Sequence, residues 1–599
     1  MTKDQKVTDI GGQLYYSLFL AGARKILDNQ RLLNSINVFP VPDADTGTNL
    51  ASTLRAVIDN ALPSPSFKQT ADAIAVAALN GARGNSGVIF AQFLYGVSVE
   101  AGDNERVSIS HFADIMLRSV KYVYEAVAQP VEGTMLTVIR QWAEFIHAQQ
   151  ERFDDFLKLL SSAYEYAQRA LSETTIKLKA LSLANVVDAG AKGFVLFLEG
   201  LLEGLIHRND KDAALLQSHA NEIVPSIIVP HDHINYRYCT EALLRNEHID
   251  KEKLKDEISS LGDSLVIAGS DKAMRIHLHT DVPHILFEKL SAFGNISYQK
   301  ADDMIKQNEV MVARKWKIAV VTDSTCDLPK DLMDFYQIHV VPLNIHFGET
   351  QYLDRLTIQS ARFFELIETD AHFPTTSQPN ETSFINLYSH LASHYDSVIS
   401  VHLSGKFSGT LRNSISAAER ISREMNKPIT VLDSMHVSGS LGLQVLRVAK
   451  AIEEGMTHRE IVDKFHTWRL NSRIYVSVRD LKNMIRGGRV SPLKGLVARI
   501  LNMKPIVSMD SEGKSSLFDK AFSQRANMKK VMKHVEKFTG EQKLWNYIIL
   551  HAEAEDTAAW FTAEMKALTG KDPVSLVNIS PVIGLSAGRG TAAIALMAE

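Results

Sequence analysis

A change in hydrophobic period limits what this chain can fold into. From residue 10 to about 207 apolar side chains return at helical spacing. Tyr15, Leu18, Phe19, Gly22 and Ile26 fall on one face, and similar spacing recurs through 71–97, 110–128, 134–149, 153–171 and 190–206. From Lys317 onward, apolar β-type runs at 318–322, 339–347, 396–403 and 429–433 alternate with helical stretches such as 359–369 and 411–425. The first pattern predicts an all-α domain over 1–207, and the second a parallel sheet flanked by helices over 317–599. Between them, 208–225 reads as a charged linker, and 226–315 as a small α/β middle domain.

Composition narrows the function. At 599 residues the chain has room for about three to five packing units. Its net charge of −4, without a long basic run, argues against a nucleic-acid partner. Two cysteines, Cys239 and Cys326, supply no disulfide framework and suit a reducing, cytoplasmic setting. Met1 to Ile10 does not read as a signal peptide. The long apolar stretch Phe194 to Ile206 is interrupted by Glu199 and Glu203, and no transmembrane segment is expected.

The most distinctive motif runs from Asn37 to Asn49, Asn-Val-Phe-Pro-Val-Pro-Asp-Ala-Asp-Thr-Gly-Thr-Asn. Two prolines hold the approach extended and deliver Asp43 and Asp45 in a turn before a helix-compatible run, Leu50 to Ile58. Carboxylates beside the free N–H groups of a helix start can hold a hard cation that in turn holds phosphate. Read alone, they are equally turn residues before an ordinary cap at Thr48 or Asn49. Three further segments could let backbone approach a ligand: Gly81–Gly87, Pro130–Met135 and Val187–Gly193. No Gly-x-x-x-x-Gly-Lys-Ser/Thr run occurs, which excludes a P-loop.

These four segments, in this order, resemble the nucleotide-binding subunit of the dihydroxyacetone kinase family, and more closely the ATP-binding subunit of bacterial fatty acid kinase. The resemblance implies a DhaL-like helical barrel in which Asp43 and Asp45 carry magnesium bound to ATP, with Asn37 a weaker candidate. It implies that Thr46, Thr48 and Asn49 steady the phosphates. Gly84, Asn85, Ser86, Thr134 and Met135 would line the pocket, and the Asp188-Ala189-Gly190 loop would close over it. Ala44 and Ala191 stand where the family more often has glycine.

In the middle domain, a strand over 274–280 puts His277 and His279 on one face, a spacing that suits a shared metal. Cys239 is the obvious third ligand for zinc, with a fourth position open; the competing reading is a buried thiol beside a polar strand face. The segment resembles the middle domain of the ATP-binding subunit of fatty acid kinase, in which these positions bind zinc.

In the last half, ligands are expected at the carboxyl ends of the strands. The loops Thr322–Thr325, Pro374–Pro379, His402–Thr410 and Leu432–Ser434 fall there, and Ser408 and Gly409 precede a helix beginning near Leu411. With Arg486-Gly-Gly-Arg489-Val-Ser491, Met503–Ile506 and Ser580–Gly584, they resemble the DegV family of fatty-acid-binding proteins, a two-subdomain α/β (EDD) fold. That resemblance implies that Thr376 and Ser408, with Ser377, Gly409 and Ser586 alongside, bind a fatty acid carboxylate above an apolar tunnel. Ser586 stands where the family usually has a histidine, and it cannot carry positive charge. Lys406 could supply charge or be solvated.

The expected reaction is phosphorylation of a fatty acid carboxylate by MgATP, kinase and lipid carrier being joined in one chain. Alternatives are a non-catalytic lipid-binding or regulatory protein, and a kinase for a small hydroxyl substrate such as dihydroxyacetone. A homodimer and an acyl phosphate acceptor enzyme at a membrane are further expected partners.

Overall fold

The computed structural model describes residues 6–39, 45–208, 234–479, 482–486 and 503–599. Asp43, the linker from 209 onward, residues 226–233 of the expected middle domain, and Arg489 and Ser491 lie outside the described residues. The chain divides into two compact units, Met1–Asn308 and Glu309–Glu599.

Among the described residues the first unit opens with ten α-helices: α1 (Gly12–Asp28), α2 (Gln30–Ser35), α3 (Thr46–Asn60), α4 (Phe67–Gly81), α5 (Gly84–Glu100), α6 (Ile109–Ala126), α7 (Met135–Gln149), α8 (Phe156–Lys177), α9 (Lys179–Ala184) and α10 (Ala189–Ile206). They pack around one core, in which Phe19, Phe90, Phe93, Trp142, Phe194 and Phe197 meet edge to face. The stripe Tyr15, Leu18, Phe19, Gly22 and Ile26 is buried along α1, as its spacing predicts. Two details differ from the sequence reading. The region is not purely helical, because β1 (Asp9–Gly11) pairs antiparallel with β2 (Arg106–Ser108). The apolar spacing through 71–97 spans two helices, since the backbone turns at Ala82–Arg83 and restarts at Gly84 with φ +54.

The same unit contains an antiparallel sheet of β3 (Tyr238–Arg245), β4 (Gly262–Ser270), β5 (Ala273–Thr280) and β6 (Asn295–Asp303), in the order β4-β5-β3-β6. Strand side chains alternate between faces, and here the faces differ sharply. Ala242, Leu244, Ile267, Ile276 and Leu278 form an apolar face against α11 (Lys251–Ile258) and α12 (Pro283–Ser291), through Leu254, Ile258, Leu286 and Phe287. The register puts Cys239, Glu241, Arg275, His277, His279, Tyr298, Lys300 and Asp302 on the opposite face.

That polar face is buried against the start of α5. Glu241 is completely buried and accepts the Gly84 N–H at 2.7 Å. Arg275 pairs with Glu241 at 3.0 Å, Arg83 lies 3.8 Å away and Lys300 4.0 Å away. The Arg83 and Arg275 guanidinium groups lie over the Tyr298 ring at 4.0 and 4.3 Å. Farther along, Gly269 donates its N–H to Gln92 of α5 at 2.9 Å, and Val266 and Ala268 join the helical core.

The second unit holds three sheets. A parallel sheet has the order β13-β12-β7-β8, from β7 (Ile318–Asp323), β8 (His339–Val341), β12 (Ser397–His402) and β13 (Ile429–Asp433). A small antiparallel sheet, β10-β9-β11, comprises β9 (Asn344–Phe347), β10 (Thr350–Leu353) and β11 (Thr375–Ser377). The third has the order β16-β15-β14-β19-β17-β18, from β14 (Ser472–Ser477), β15 (Lys504–Met509), β16 (Ser515–Ala521), β17 (Leu544–His551), β18 (Ser575–Asn578) and β19 (Ala592–Ala598). Only its β17–β18 pair is parallel, so a single parallel sheet does not account for this half. The helix Ser438–Glu453, buried on nearly all sides, packs against strands of both larger sheets.

Replacing Glu241 by alanine would leave Arg275 buried without its counter-charge. Denaturant unfolding should show the first unit destabilised by about 3–5 kcal/mol.

Candidate functional site

Each of the four ligand-loop segments proves to be a helix N-terminus. Asp45 caps α3, Gly84 opens α5, Thr134 caps α7 and Asp188 caps α10. They also converge. A Cβ on Gly84 would lie 2.0 Å from Asn49 Nδ2, so only glycine allows α5 to start this close to α3. A Cβ on Gly190 would lie 3.3 Å from Ser86 Oγ and 3.4 Å from the Met135 Cβ, which brings α10, α5 and α7 together. Helix N-termini present N–H groups and positive dipole ends that suit an anion; here carboxylates already take some of them, Glu241 the Gly84 N–H and Asp188 those of Met135 and Ala191.

The predicted residues do not all stand alike within it. Thr46 and Asn49 are buried in the first turn of α3, which begins four residues before Leu50. Asn85 Oδ1 is buried and has no hydrogen-bond partner among the described residues, an acceptor left for a ligand. The Thr48 hydroxyl oxygen accepts from Asn34 at 2.9 Å and Gln30 at 3.1 Å, both on α2, which leaves its own O–H to donate. Asp188 is occupied. Its Oδ1 accepts N–H groups of Met135 at 3.0 Å and Ala191 at 2.8 Å, which staples α7 to α10. Burial pushes the Asp188 carboxyl up to about 6 against the pull of those two bonds. Its part is to hold the cradle together.

Cys239, His277 and His279 come together on the polar face of the middle sheet, their ligand atoms within 4.8 Å of one another. His279 lies directly across from Cys239 in the β3–β5 register. Both ring nitrogens of His277 are buried and lack hydrogen-bond partners among the described residues, an arrangement a metal would satisfy. Burial, then His279, pushes His277 down to about 3, so its imidazole is neutral, the form that ligates. His279 Nδ1 lies 3.4 Å from Asp263, the orienting carboxylate that ligating histidines commonly have. Burial raises the Cys239 thiol; a bound cation would reverse that shift. The donor set fits zinc.

In the second unit one cavity of about 450 Å³ collects all five predicted substrate residues, Thr376, Ser377, Ser408, Gly409 and Ser586. It opens at the carboxyl ends of the parallel strands: Thr325 follows β7, Leu403 follows β12, and Val437 and Ser438 follow β13. Ile474, Val476, Val507, Leu550 and Ala593 of the six-stranded sheet supply apolar wall. Ser408 Oγ accepts the Thr410 N–H at 3.2 Å and contacts Thr410 Oγ1 at 2.8 Å, at the start of the helix Thr410–Met425. Lys406 is exposed and absent from the lining.

Comparison with known proteins follows the same divisions. The DAK2 domain model matches residues 40–203, the FakA-like middle domain model of fatty acid kinase matches 235–311, and the DegV family model matches 317–599. Three known domain families are joined in this chain. An uncharacterized protein of Staphylococcus epidermidis is 30% identical over 326 residues, which is 52% of this chain and 58% of the relative. One from Staphylococcus aureus is 29% identical over 324 residues, with the same coverage. The chain thus spans about half the length of these relatives. Among solved structures, a fatty-acid-binding DegV family protein from Thermus thermophilus is 28% identical, with a TM-score of 0.43 over 47% of this chain and 100% of that one. DegV from Bacillus subtilis, described as a fatty acid binding protein, is 29% identical, with a TM-score of 0.43 over 48% and 100%.

Sequence reasoning passed over several residues of the DAK2, middle and DegV regions. Glu241, Arg275 and Lys300 share the polar face with Cys239, and period-two alternation carried through all the middle-domain strands would have shown it. His551 lines the DegV cavity at the end of the apolar strand run Leu544–His551.

Two measurements test these placements. Elemental analysis of purified protein should find one zinc per chain, lost in Cys239→Ser. For Asp188 the folded value lies above the ordinary 3.8, so its contribution is complete below that pH and is lost as pH rises through about 6. Asp188→Asn keeps the Oδ1 acceptor without the charge, and should raise stability above pH 6 by on the order of 1–3 kcal/mol in thermal or denaturant melts.

Proposed function

We propose that this chain transfers the γ-phosphoryl group of MgATP to a fatty acid carboxylate, giving an acyl phosphate that an acceptor enzyme then consumes. The observation that carries the reading is the convergence of four helix N-termini beside Asp45, in a DAK2 region that lacks a P-loop. Such a site neutralises polyphosphate with backbone dipoles, and Asp45, with Asp43, supplies the carboxylates to hold magnesium. Thr46, Asn49, Asn85 and Ser86 orient the phosphates. Magnesium held by these carboxylates would supply charge neutralisation for the phosphates.

The acceptor half is supported by the DegV match and by the cavity, whose hydroxyl-bearing end leads onto an apolar wall. Thr376, Ser408 and Ser586 donate hydrogen bonds to the carboxylate. A carboxylate is ionised at neutral pH, so its oxygen attacks phosphorus without a general base. One P–O bond forms, the bond to the β–γ bridging oxygen breaks, ADP leaves and no proton moves. Holding donor and acceptor parts in one chain raises their effective concentration.

One feature favours a second reading, a lipid carrier without turnover: Ser586 and its neighbours at the carboxylate end are neutral. Incubation of purified protein with labelled ATP and oleate or palmitate separates the two, since only the kinase forms acyl phosphate. Asp45→Ala should abolish that product while mass spectrometry still finds lipid bound. Normal turnover by this variant refutes the magnesium role.

A further inference from the structure

With Arg83 of the DAK2 region added, three cations meet two carboxylates, Glu241 and Asp302, at the polar face of the middle sheet. Arg83, Arg275 and Lys300 surround Glu241, which is fully buried and whose oxygens are already committed to Gly84 N–H and Arg275. Arg275 Nε and Nη1 and Arg83 Nη1 are buried without hydrogen-bond partners among the described residues. Arg275 is fully buried over the Tyr298 ring, and Arg83, with 28% of its side chain exposed, is stacked on the same ring. Lys300 is different. Its Nζ rests on Asp302 at 2.6 Å, its side chain is 26% exposed, and it stands opposite Glu241 in the β3–β6 register. The Glu241 Oε1 that accepts the Gly84 N–H at 2.7 Å lies 4.0 Å from Lys300 Nζ, which sets Lys300 beside the N-terminus of α5.

A P-loop kinase places a lysine on the terminal phosphates. The DAK2 region has no such motif, and its four converging helix ends supply only partial charges. We propose that Lys300 of the middle domain is the missing phosphate-binding lysine, releasing Asp302 to contact the terminal phosphate of a nucleotide seated at the N-termini of α3 and α5. Arg83 and Arg275 stay behind as fixed positive charge, and Glu241 holds the start of α5 at the correct distance. A flexible ammonium suits this task better than a guanidinium, because it can exchange a carboxylate for a phosphate oxygen by rotating its stem. Lys300 keeps its protons throughout, so the electron balance of the transfer is unchanged.

The proposal rests on a nucleotide occupying the DAK2 site, and its test reads binding directly. Equilibrium dissociation constants for ATP and ADP, each with magnesium, are measured on full-length wild type, Lys300→Met and Lys300→Arg, with circular dichroism as the check on folding. Loss of one charge-assisted contact to the terminal phosphate should weaken ATP by about tenfold or more and ADP by less than about threefold, with arginine restoring much of the difference. Lys300→Gln gives the same comparison should the methionine variant lose its fold. Equal weakening of both nucleotides, or of neither, overturns the assignment. A wild type that binds ATP through Lys300 yet forms no acyl phosphate leaves Lys300 in place and removes the fatty acid as substrate. A wild type that binds no ATP removes both.

Discussion

The hydrogen bond from the Gly84 N–H to the buried Glu241 carboxylate is the constraint on which the first unit depends. It joins a strand of the middle sheet to the first residue of a helix in the DAK2 region, across 157 positions of sequence. An ionised carboxylate in such a place is tolerated only when charges and donors surround it. Burial raises the Glu241 carboxyl, but Lys300, Arg275 and Arg83 outweigh burial and bring it down to about 2. The same contact holds α5 where its N-terminus can meet those of α3, α7 and α10. Fixing an anion cradle with a neighbouring domain makes the geometry of one depend on the folding of the other.

Much of this was legible in sequence, for a physical reason. Helical and strand periods are local, so the two halves could be told apart, and the stripe from Tyr15 to Ile26 identified the buried face of α1. The segments Pro130–Met135 and Val187–Gly193 opened helices as their spacing suggested, whereas the restart at Gly84 was hidden inside one apolar run. What periodicity cannot tell is which partner a polar atom finds. Thr48 reads as a phosphate ligand, and nothing in its spacing announces that Asn34 and Gln30 of α2 hydrogen-bond to its oxygen. Asp188 reads as a lid residue until its two N–H partners appear. The six-stranded sheet was missed because its strands are distant in sequence and mostly antiparallel, a pattern that helix–strand alternation does not announce.

The alternation of the middle sheet shows why an unusual set of side chains survives in one small domain. Its apolar face alone is enough to hold α11 and α12, which frees the other face from any duty to be hydrophobic. Covered by the DAK2 helices, the part of that face around Glu241, Arg275 and His277 is buried, so the charges there act over a longer range than at a surface. Cysteine, paired histidines, an arginine, a lysine and two carboxylates of this face, joined by Arg83 of the DAK2 region, can then form one field. A face of this composition exposed to solvent would be heavily screened and of little use to a distant phosphate.

The neutral carboxylate end of the DegV cavity, which suits a carrier, is also compatible with the proposed reaction. A fixed positive charge against the carboxylate would stabilise the ground state and draw electron density from the attacking oxygen. Neutral hydroxyls such as those of Thr376, Ser408 and Ser586 orient the group without doing so. Catalysis gains only from interactions that strengthen in the transition state, where charge gathers on the transferring phosphoryl group and on the leaving oxygen. Positive charge is therefore useful around the nucleotide and a hindrance around the acyl end. On this view Ser586 is a serine that leaves the carboxylate nucleophilic, and the cations gathered on the middle sheet stand where the reaction can use them.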